Sequence, residues 1–166
     1  ALQAAVNAAK VCGVTAPASW SEVAAKLRIP KSDDGLTLEY EGYAGQQIKQ
    51  ADVNLLGYPL GVITDPAQLK RDLEYYENKI NPRGPAMSFA VFAIQHARLG
   101  DGDKAYELFV RSYQPNQLSP FGVVSEGAGG TNPYFTTGAG GFVQAVINGF
   151  CGLEITDSGI RQLPSA

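Results

Sequence analysis

The chain has 166 residues, of which 45% are hydrophobic, a formal net charge of -3 and a pI near 5.1. This length is enough for one buried core and too short for two ordinary domains. The basic residues are scattered without a long run, which argues against a nucleic-acid partner. No stretch approaches the roughly 20 uninterrupted apolar residues of a membrane-spanning helix, so no membrane partner is expected either.

The two ends of the sequence suggest part of a longer polypeptide. Ala1 stands inside a helical pattern, with Leu2, Val6 and Ala9 on one face, and Ala166 closes the sequence without a polar tail. No basic segment followed by an apolar stretch opens the chain. We therefore expect a fragment or a proteolytically processed chain.

The cysteines and the single histidine give no sign of a metal site. Cys12 and Cys151 have no second cysteine or histidine at metal-ligand spacing, so we expect two buried thiols rather than a disulfide bridge. His96 stands in an apolar helical pattern and is expected to be structural. No metal and no cofactor are predicted.

Helical patterns dominate the first third of the chain. Ser19 and Glu22 have the spacing of a capping box, which predicts a helix that ends at Pro30. Residues 36–40 alternate apolar and polar side chains and predict a short extended segment. Residues 45–57 carry apolar side chains at Ile48, Ala51, Val53, Leu55 and Leu56 and few charges, which predicts a helix buried on most sides.

Amphipathic and apolar helices alternate in the rest of the chain. Asp65 as N-cap with Pro66 at the first helical position predicts the start of an amphipathic helix. Residues 86–98 are nearly all apolar, and residues 104–113 are amphipathic again. Residues 122–141 contain seven glycines, which predicts a loop, because glycine inside a helix costs about 1 kcal/mol. A last apolar helix is predicted over residues 142–150.

This alternation predicts a double ring of helices. Inner helices of such a ring are covered on all sides, whereas outer helices are covered on one face. With about seven helices, the ring would be incomplete. We predict an all-α chain that forms part of one helical domain, with a glycine-rich active-site loop.

Glu126 is the first candidate for chemistry. It lies in the glycine-rich segment, where small residues let backbone and ligand approach closely, and a carboxylate there suits acid or base chemistry at a sugar. A solvated loop glutamate fits the same pattern. A phosphate-binding loop is disfavoured, because no Gly-Lys-Ser or Gly-Lys-Thr follows.

Lys49 and Gln50 are the second candidates. They stand within the helix predicted over residues 45–57, where a buried charge and amide need polar partners, so they predict a polar cavity; an exposed helix edge is the alternative. Glu39, Glu41 and Asp52 are nearby carboxylates, each expected to be solvated or hydrogen-bonded.

Four segments of the chain, in this order, resemble glycoside hydrolase family 65. They are Ile48-Lys49-Gln50-Ala51-Asp52-Val53, Asn81-Pro82-Arg83-Gly84-Pro85-Ala86-Met87-Ser88, Ala97-Arg98-Leu99-Gly100-Asp101 and Thr137-Gly138-Ala139-Gly140-Gly141-Phe142. The resemblance implies an (α/α)6 barrel, or helical toroid, of which residues 1–166 would be the C-terminal portion, with the rest of the barrel and the accessory domains outside this chain.

The resemblance also implies roles for the candidate residues. Lys49 and Gln50 would bind the glucose whose bond is broken, and Glu126 matches the family's general base. Phosphorylases of the family carry His-Asp-Ser-Ser where this chain has residues 83–86, Arg-Gly-Pro-Ala, so water is the expected nucleophile. The family's general acid belongs to a motif upstream of this sequence, so another polypeptide segment of the same enzyme is an expected partner.

The amino-acid sequences of two segments, residues 40–43 and 57–60, most resemble those of the acid trehalases of fungi. The expected activity is hydrolysis of α,α-trehalose with inversion, in the cell wall, vacuole or exterior. A kojibiose-like or glucosyl-galactose substrate is the alternative, since a glucosidase acting on collagen-type glucosyl-galactose shares the Pro-Arg-Gly-Pro-Ala-Met run.

Two other functions fit the residues. Residues 99–109 resemble one tetratricopeptide hairpin, which would suit a helical-repeat interaction scaffold, but no second copy follows at the expected period of about 34 residues. The chain could also be half of a barrel that binds sugar alone.

Overall fold

The computed structural model describes residues 1–164, apart from the side chain of Thr131. In this part of the chain there are seven α-helices, a 3₁₀ turn at Gln114–Asn116 and a π-helical segment, Ala145–Phe150, that continues the last helix. The α-helices are α1 (Leu2–Val11), α2 (Ala18–Lys26), α3 (Asp52–Leu55), α4 (Pro66–Tyr76), α5 (Met87–Arg98), α6 (Gly102–Tyr113) and α7 (Thr136–Gln144). None of the described helices is long and apolar enough to cross a membrane.

The chain also contains small antiparallel sheets, so the prediction of a purely all-α chain is wrong. A three-stranded sheet has the order β1 (Gln117–Leu118), β2 (Val123–Gly127) and β3 (Thr131–Pro133). A separate hairpin consists of β4 (Leu153–Thr156) and β5 (Gly159–Gln162). Helices with short sheets are consistent with one part of a helical toroid, and the closed barrel itself stays a prediction.

Helix α5 is the centre of the core. Most of its residues are buried, as the apolar pattern over residues 86–98 predicts, and it packs against α6, α7 and the π-helical segment. Tyr76 of α4, Phe92 and Ile94 of α5 and Leu108 of α6 are almost completely buried. Buried side chains of this size each contribute about 1.5–3 kcal/mol, so the packing of α4 and α6 around α5 stabilises the described fold.

The glycine-rich segment is not the single loop that the sequence predicts. Its first part forms β2 and β3, and its last part forms α7, which begins at Thr136. Gly138 and Gly141 let α7 lie close to α5: a Cβ atom would lie 3.0 Å from Ala86 Cβ at the first position and 3.2 Å from Ala90 Cβ at the second. Glycine inside a helix lowers its stability, and the close packing between the two helices offsets this loss.

Helix α3 is much shorter than the helix predicted over residues 45–57. It makes a single turn, Asp52–Leu55, and Lys49 and Gln50 lie in irregular backbone before it. Ile48 forms a parallel bridge with Ile80, because its N–H donates to Lys79 O at 2.9 Å and its carbonyl accepts from Asn81 N at 3.2 Å. Backbone bonding to a neighbouring segment therefore fixes the position of Lys49.

The helix starts support one prediction and contradict another. An Asp65 side-chain oxygen accepts from the backbone N–H of Gln68 at 3.1 Å, which confirms the predicted N-cap of α4. The capping box of Ser19 and Glu22 is wrong: α2 begins after Pro17 without a side-chain cap and ends at Lys26. Proline fixes the backbone at the entry to α2, so Ser19 is already inside the helix.

Helices α1 and α2 pack against each other and contain no buried residue. The prediction that both cysteines are buried is wrong, since Cys12 and Cys151 are free thiols on the surface. Cys12 directly follows α1, and Cys151 follows the π-helical segment, where the chain turns towards β4. Both therefore lie at element ends, outside the packed faces.

His96 has the structural role that the sequence predicts. The ring is buried in α5, with Nε2 against Glu77 and Nδ1 3.4 Å from Asp101 Oδ2. Lys104 Nζ of α6 lies 3.4 Å from the second oxygen of Glu77. This cluster joins the end of α4 to α5 and to the start of α6.

Candidate active site

Strand β2 carries Glu126, and three hydrogen bonds fix the backbone around it. The carbonyl of Glu126 accepts from the side chain of Asn116 at 2.8 Å and from the backbone N–H of Ala86, which immediately precedes α5, at 3.2 Å. The buried hydroxyl of Ser125 donates to Asn116 O at 2.9 Å. The position of Glu126 is therefore coupled to the core helix and to the turn after α6.

The carboxylate of Glu126 contacts two polar side chains. Oε1 lies 3.6 Å from Lys49 Nζ, and Oε2 accepts from Asn132 Nδ2 at 2.9 Å. The fold thus brings together Lys49 and Glu126, two residues that lie far apart in the sequence. The Lys49 side chain is 71% exposed, so this ion pair contributes at most about 1 kcal/mol to stability.

A cavity of about 440 Å³ lies beside Glu126 and Lys49. Its volume falls within the range of sites that bind small molecules. The residues that line it are Gln47, Ile48, Lys49, Asn81, Arg83, Gly84, Pro85, Glu126 and Gly127. Of the described residues, Glu126 is the one carboxylate in this lining.

Gly84 is needed where two segments of the cavity wall meet. A Cβ atom at this position would lie 2.9 Å from Asn81 O and 3.4 Å from Lys49 O. Both are backbone atoms, so the contact could not be relieved by a side-chain rotation. Gly84 lets residues 81–85 pack directly against the segment that carries Lys49.

Gln50 lines a second, neighbouring cavity of about 480 Å³. This cavity is bounded by α3, α5 and α7 and has a mostly apolar wall, which includes Asp52, Met87 and the buried Ser88. The adjacent residues Lys49 and Gln50 therefore face two different cavities. Among the residues that the structure describes, Gln50 does not line the cavity of Glu126.

The other candidate carboxylates have different environments. Glu41 is exposed, 3.9 Å from Arg28, as expected for a solvated residue. Glu39 is half-buried, and burial followed by the negative charge of Asp52 raises the pKa of its carboxyl above the ordinary value. One oxygen of Glu39 is buried without a hydrogen-bond partner in the described part of the chain. Glu39 is thus less solvated than the sequence suggests.

Arg83, which lines the cavity, and Asn132, which donates to the Glu126 carboxylate, are residues whose contribution the sequence analysis missed. Asn132 has a left-handed backbone, with φ of 54°, within β3. Asparagine is among the few non-glycine residues that adopt this conformation readily. The Gly-Gly-Thr-Asn-Pro sequence contains that signal, but it gives no indication that the amide reaches Glu126. Within residues 1–164 no group of His, Cys, Asp and Glu side chains forms a metal site.

Comparison with known proteins gives the class of this chain. Residues 36–118 match the model of the glycosyl hydrolase family 65 central catalytic domain. This match includes Lys49, Arg83 and Gly84 and ends before β2. Helices α3 to α6 and seven of the nine residues that line the cavity therefore lie in the part of the chain that matches this catalytic domain.

Several curated relatives extend the similarity over nearly the whole chain. A kojibiose hydrolase of Mucilaginibacter mallensis is 54% identical over 165 residues, which is 99% of this chain and 24% of that protein. A protein-glucosylgalactosylhydroxylysine glucosidase of Danio rerio is 39% identical over 158 residues, 93% of this chain and 24% of that protein. A periplasmic/secreted acid trehalase of Candida glabrata is 39% identical over 149 residues, 81% of this chain and 12% of that protein.

This chain belongs to glycosyl hydrolase family 65. It spans about a quarter of the length of the kojibiose hydrolases that it matches. The resemblance of the four sequence segments to this family is confirmed, and relatives that act on trehalose are among the matches.

Proposed function

We propose that this chain supplies the general base and part of the glucose-binding site of an inverting α-glucosidase. The observation that carries the proposal is the placement of the Glu126 carboxylate in a cavity beside the ammonium group of Lys49, at 3.6 Å. Glu126 is the base, and Lys49 and Gln50 bind the glucose unit whose bond is broken.

The proposed reaction is a single displacement. The Glu126 carboxylate takes a proton from a water molecule, and the water oxygen forms a bond to the anomeric carbon on the face opposite the leaving sugar. The glycosidic bond breaks, its electron pair stays with the leaving oxygen, and that oxygen takes a proton from a general acid. The products are β-glucose and the second sugar.

An inverting glycosidase keeps its two carboxyl groups about 6.5–9.5 Å apart, with the water between them. We propose that the acid belongs to another segment of the same enzyme. The cavity wall beside Glu126 and Lys49 has an exposed side where such a segment would complete the site, consistent with a chain that spans a quarter of its relatives.

The residues of the cavity wall favour water over phosphate as the nucleophile. Arg83, Gly84 and Pro85 line the cavity at the positions where phosphorylases of the family carry His-Asp-Ser. Neither an imidazole nor a hydroxyl is present at these three positions to hold an inorganic phosphate. We therefore propose hydrolysis rather than phosphorolysis.

For the substrate we propose kojibiose, with trehalose as the second candidate. Two kojibiose hydrolases are 54% and 52% identical to the chain, compared with 39% and 37% for two fungal acid trehalases. The sequence segments that resemble trehalases keep the second candidate open. Those trehalases are named as periplasmic or secreted, and we propose a location outside the cytoplasm for this enzyme as well.

An interaction scaffold is a weaker proposal than the enzyme. Helices α5 and α6 pack as a hairpin around residues 99–109, as one tetratricopeptide unit would, but the match to a catalytic domain covers the same residues.

The test is Glu126→Gln in the complete enzyme. The substitution keeps the size and shape of the side chain, but the amide cannot accept a proton from water. We expect turnover to fall by at least about a thousandfold, while the dissociation constant for kojibiose stays within about threefold. Near-normal turnover would refute the role of Glu126.

A further inference from the structure

The carboxylate of Glu126 has two oxygens in unlike environments. Oε2 accepts a hydrogen bond from Asn132 Nδ2 at 2.9 Å, which is a normal length for an amide donor and a carboxylate. Oε1 faces Lys49 Nζ at 3.6 Å, which is too long for a strong hydrogen bond. One oxygen is therefore held by a directed donor, and the other is free to accept a proton from a small molecule.

The hairpin between β2 and β3 sets the geometry of this contact. Gly127 pairs with Thr131 and Ser125 pairs with Pro133, so Glu126 and Asn132 stand on facing strands. The register places the two side chains on the same face of the hairpin, because side chains alternate along a strand.

The backbone on the outgoing strand is unusual. Asn132 and Tyr134, on either side of Pro133, both have a left-handed φ, of 54° and 62°. Such conformations cost free energy and tend to cluster at functional sites. The chain turns sharply here and presents the amide of Asn132 to the carboxylate.

We infer that Asn132 is a positioning residue for Glu126. Its amide donates to Oε2 and so leaves Oε1 as the oxygen that takes the proton from water. This inference rests on the proposed role of Glu126 as general base. Asn132 itself does not touch the substrate: it orients the carboxylate plane and favours its charged form through the hydrogen bond.

A purely structural role for Asn132 makes a different prediction. If the residue is present only because asparagine tolerates a left-handed backbone, glycine should replace it without loss, since glycine adopts φ of 54° without strain. If the amide matters, glycine and alanine should both impair the reaction, although alanine alone strains the backbone.

The experiment compares Asn132→Gly, Asn132→Ala and Asn132→Asp in the complete enzyme by pH profiles of kcat and KM. For Asn132→Gly we expect kcat to fall by about tenfold to a hundredfold, because one hydrogen bond to a charged group is lost. We expect KM to change by less than about threefold. The acidic limb of the kcat/KM profile should move to higher pH, because the charged carboxylate has lost a donor.

Asn132→Asp should give the largest shift of the acidic limb of the pH profile. A second carboxylate at this position would face Glu126 and share a proton with it, so the acidic limb should move further than in Asn132→Gly. Tyr134→Gly is the matched control: it removes the other left-handed side chain of the hairpin, has no contact with the Glu126 carboxylate in the described structure, and should keep the profile of the unmodified enzyme.

An Asn132→Gly enzyme with unchanged kcat and an unchanged acidic limb would overturn the inference. The activity of Glu126→Gln distinguishes failure of this inference from failure of the proposed function. If Glu126→Gln is inactive and Asn132→Gly is normal, the base is correct and the positioning residue is wrong. If Glu126→Gln is active, the base itself is wrong.

Discussion

Lys49 and Glu126 hold their charged groups 3.6 Å apart in the wall of a cavity of about 440 Å³. The two residues belong to different elements: Lys49 precedes the single-turn helix α3, and Glu126 is in strand β2. Backbone bonds anchor each of them, through Ile48 and Lys79 on one side and through Ala86 on the other. The pair is thus built by the fold around α5 rather than by local sequence.

The first prediction concerns Lys49. Replacing Lys49 with methionine keeps most of the side-chain stem and removes the charge. We expect the KM for the disaccharide to rise by about tenfold or more, because a charged group that bonds a sugar hydroxyl contributes about 1.5–3 kcal/mol. Steady-state kinetics of the complete enzyme measure this change. Lys70→Met, which removes an exposed lysine 3.8 Å from Glu74 on α4, is the control and should leave KM unchanged.

The second prediction concerns Glu39 and pH. Burial, together with the charge of Asp52, raises the pKa of the Glu39 carboxyl, so the folded protein binds this proton more tightly than the unfolded chain. The contribution of Glu39 to stability is therefore present at low pH and is lost as pH rises through the raised pKa. Glu39→Gln stays neutral, so its melting temperature should exceed that of the unmodified enzyme at pH 7, with the difference vanishing below about pH 4.

The control for this prediction is Glu41→Gln. Glu41 and its partner Arg28 both have side chains more than 80% exposed, at 83% for Arg28 and 82% for Glu41. Their ion pair contributes little in water. Thermal unfolding between pH 4 and pH 7 should give the same pH dependence for Glu41→Gln as for the unmodified enzyme. Identical curves for Glu39→Gln and Glu41→Gln would contradict the environment described for Glu39.

The third prediction compares two glycines of helix α7. A Cβ atom at Gly138 would lie 2.9 Å from a ring carbon of Phe135 and 3.0 Å from Ala86, whereas at Gly140 it would meet nothing within 4 Å. Gly138→Ala should therefore lower the free energy of unfolding by about 1–2 kcal/mol. Gly140→Ala should raise it by about 0.5–1 kcal/mol through helix propensity alone. Chemical denaturation measures both, and equal effects would contradict the close packing of α7 on α5.

These glycines also show why part of the fold could not be predicted from the sequence. The start of α4 at Pro66 and the buried helix α5 follow from local signals, an N-cap and an apolar run. Helix α7 does not, because its glycines are favoured by contact with α5, which no local pattern reveals. Likewise, the apolar residues around Lys49 are buried by neighbouring segments and not by a long helix.

The candidate site was predictable in its residue types and not in its contacts. Lys49, Gln50 and Glu126 come from the family resemblance, since periodicity alone allowed a solvated glutamate. The amide of Asn132 and the separation of Gln50 into a second cavity depend on the register of β2 with β3 and on the turn before α3. Such features arise from tertiary packing.

The fourth prediction concerns the substrate. With the complete enzyme we expect kcat/KM for kojibiose to exceed that for trehalose by at least about tenfold, which corresponds to about 1.4 kcal/mol of transition-state binding. Release of glucose from each disaccharide at equal concentration measures the ratio. A higher kcat/KM for trehalose would support the second candidate and would leave the proposed role of Glu126 untouched.

The most direct test of the central claim is the rescue of Glu126→Ala by azide. If Glu126 activates the attacking water, its removal leaves space for a small anion that needs no base, and azide should attack the anomeric carbon from the same face as water. We predict that the variant is nearly inactive alone, and that added azide restores cleavage and yields β-glucosyl azide. Absence of rescue together with near-normal hydrolysis, or an α-configured azide product, would contradict the assignment of Glu126 as the general base of an inverting enzyme.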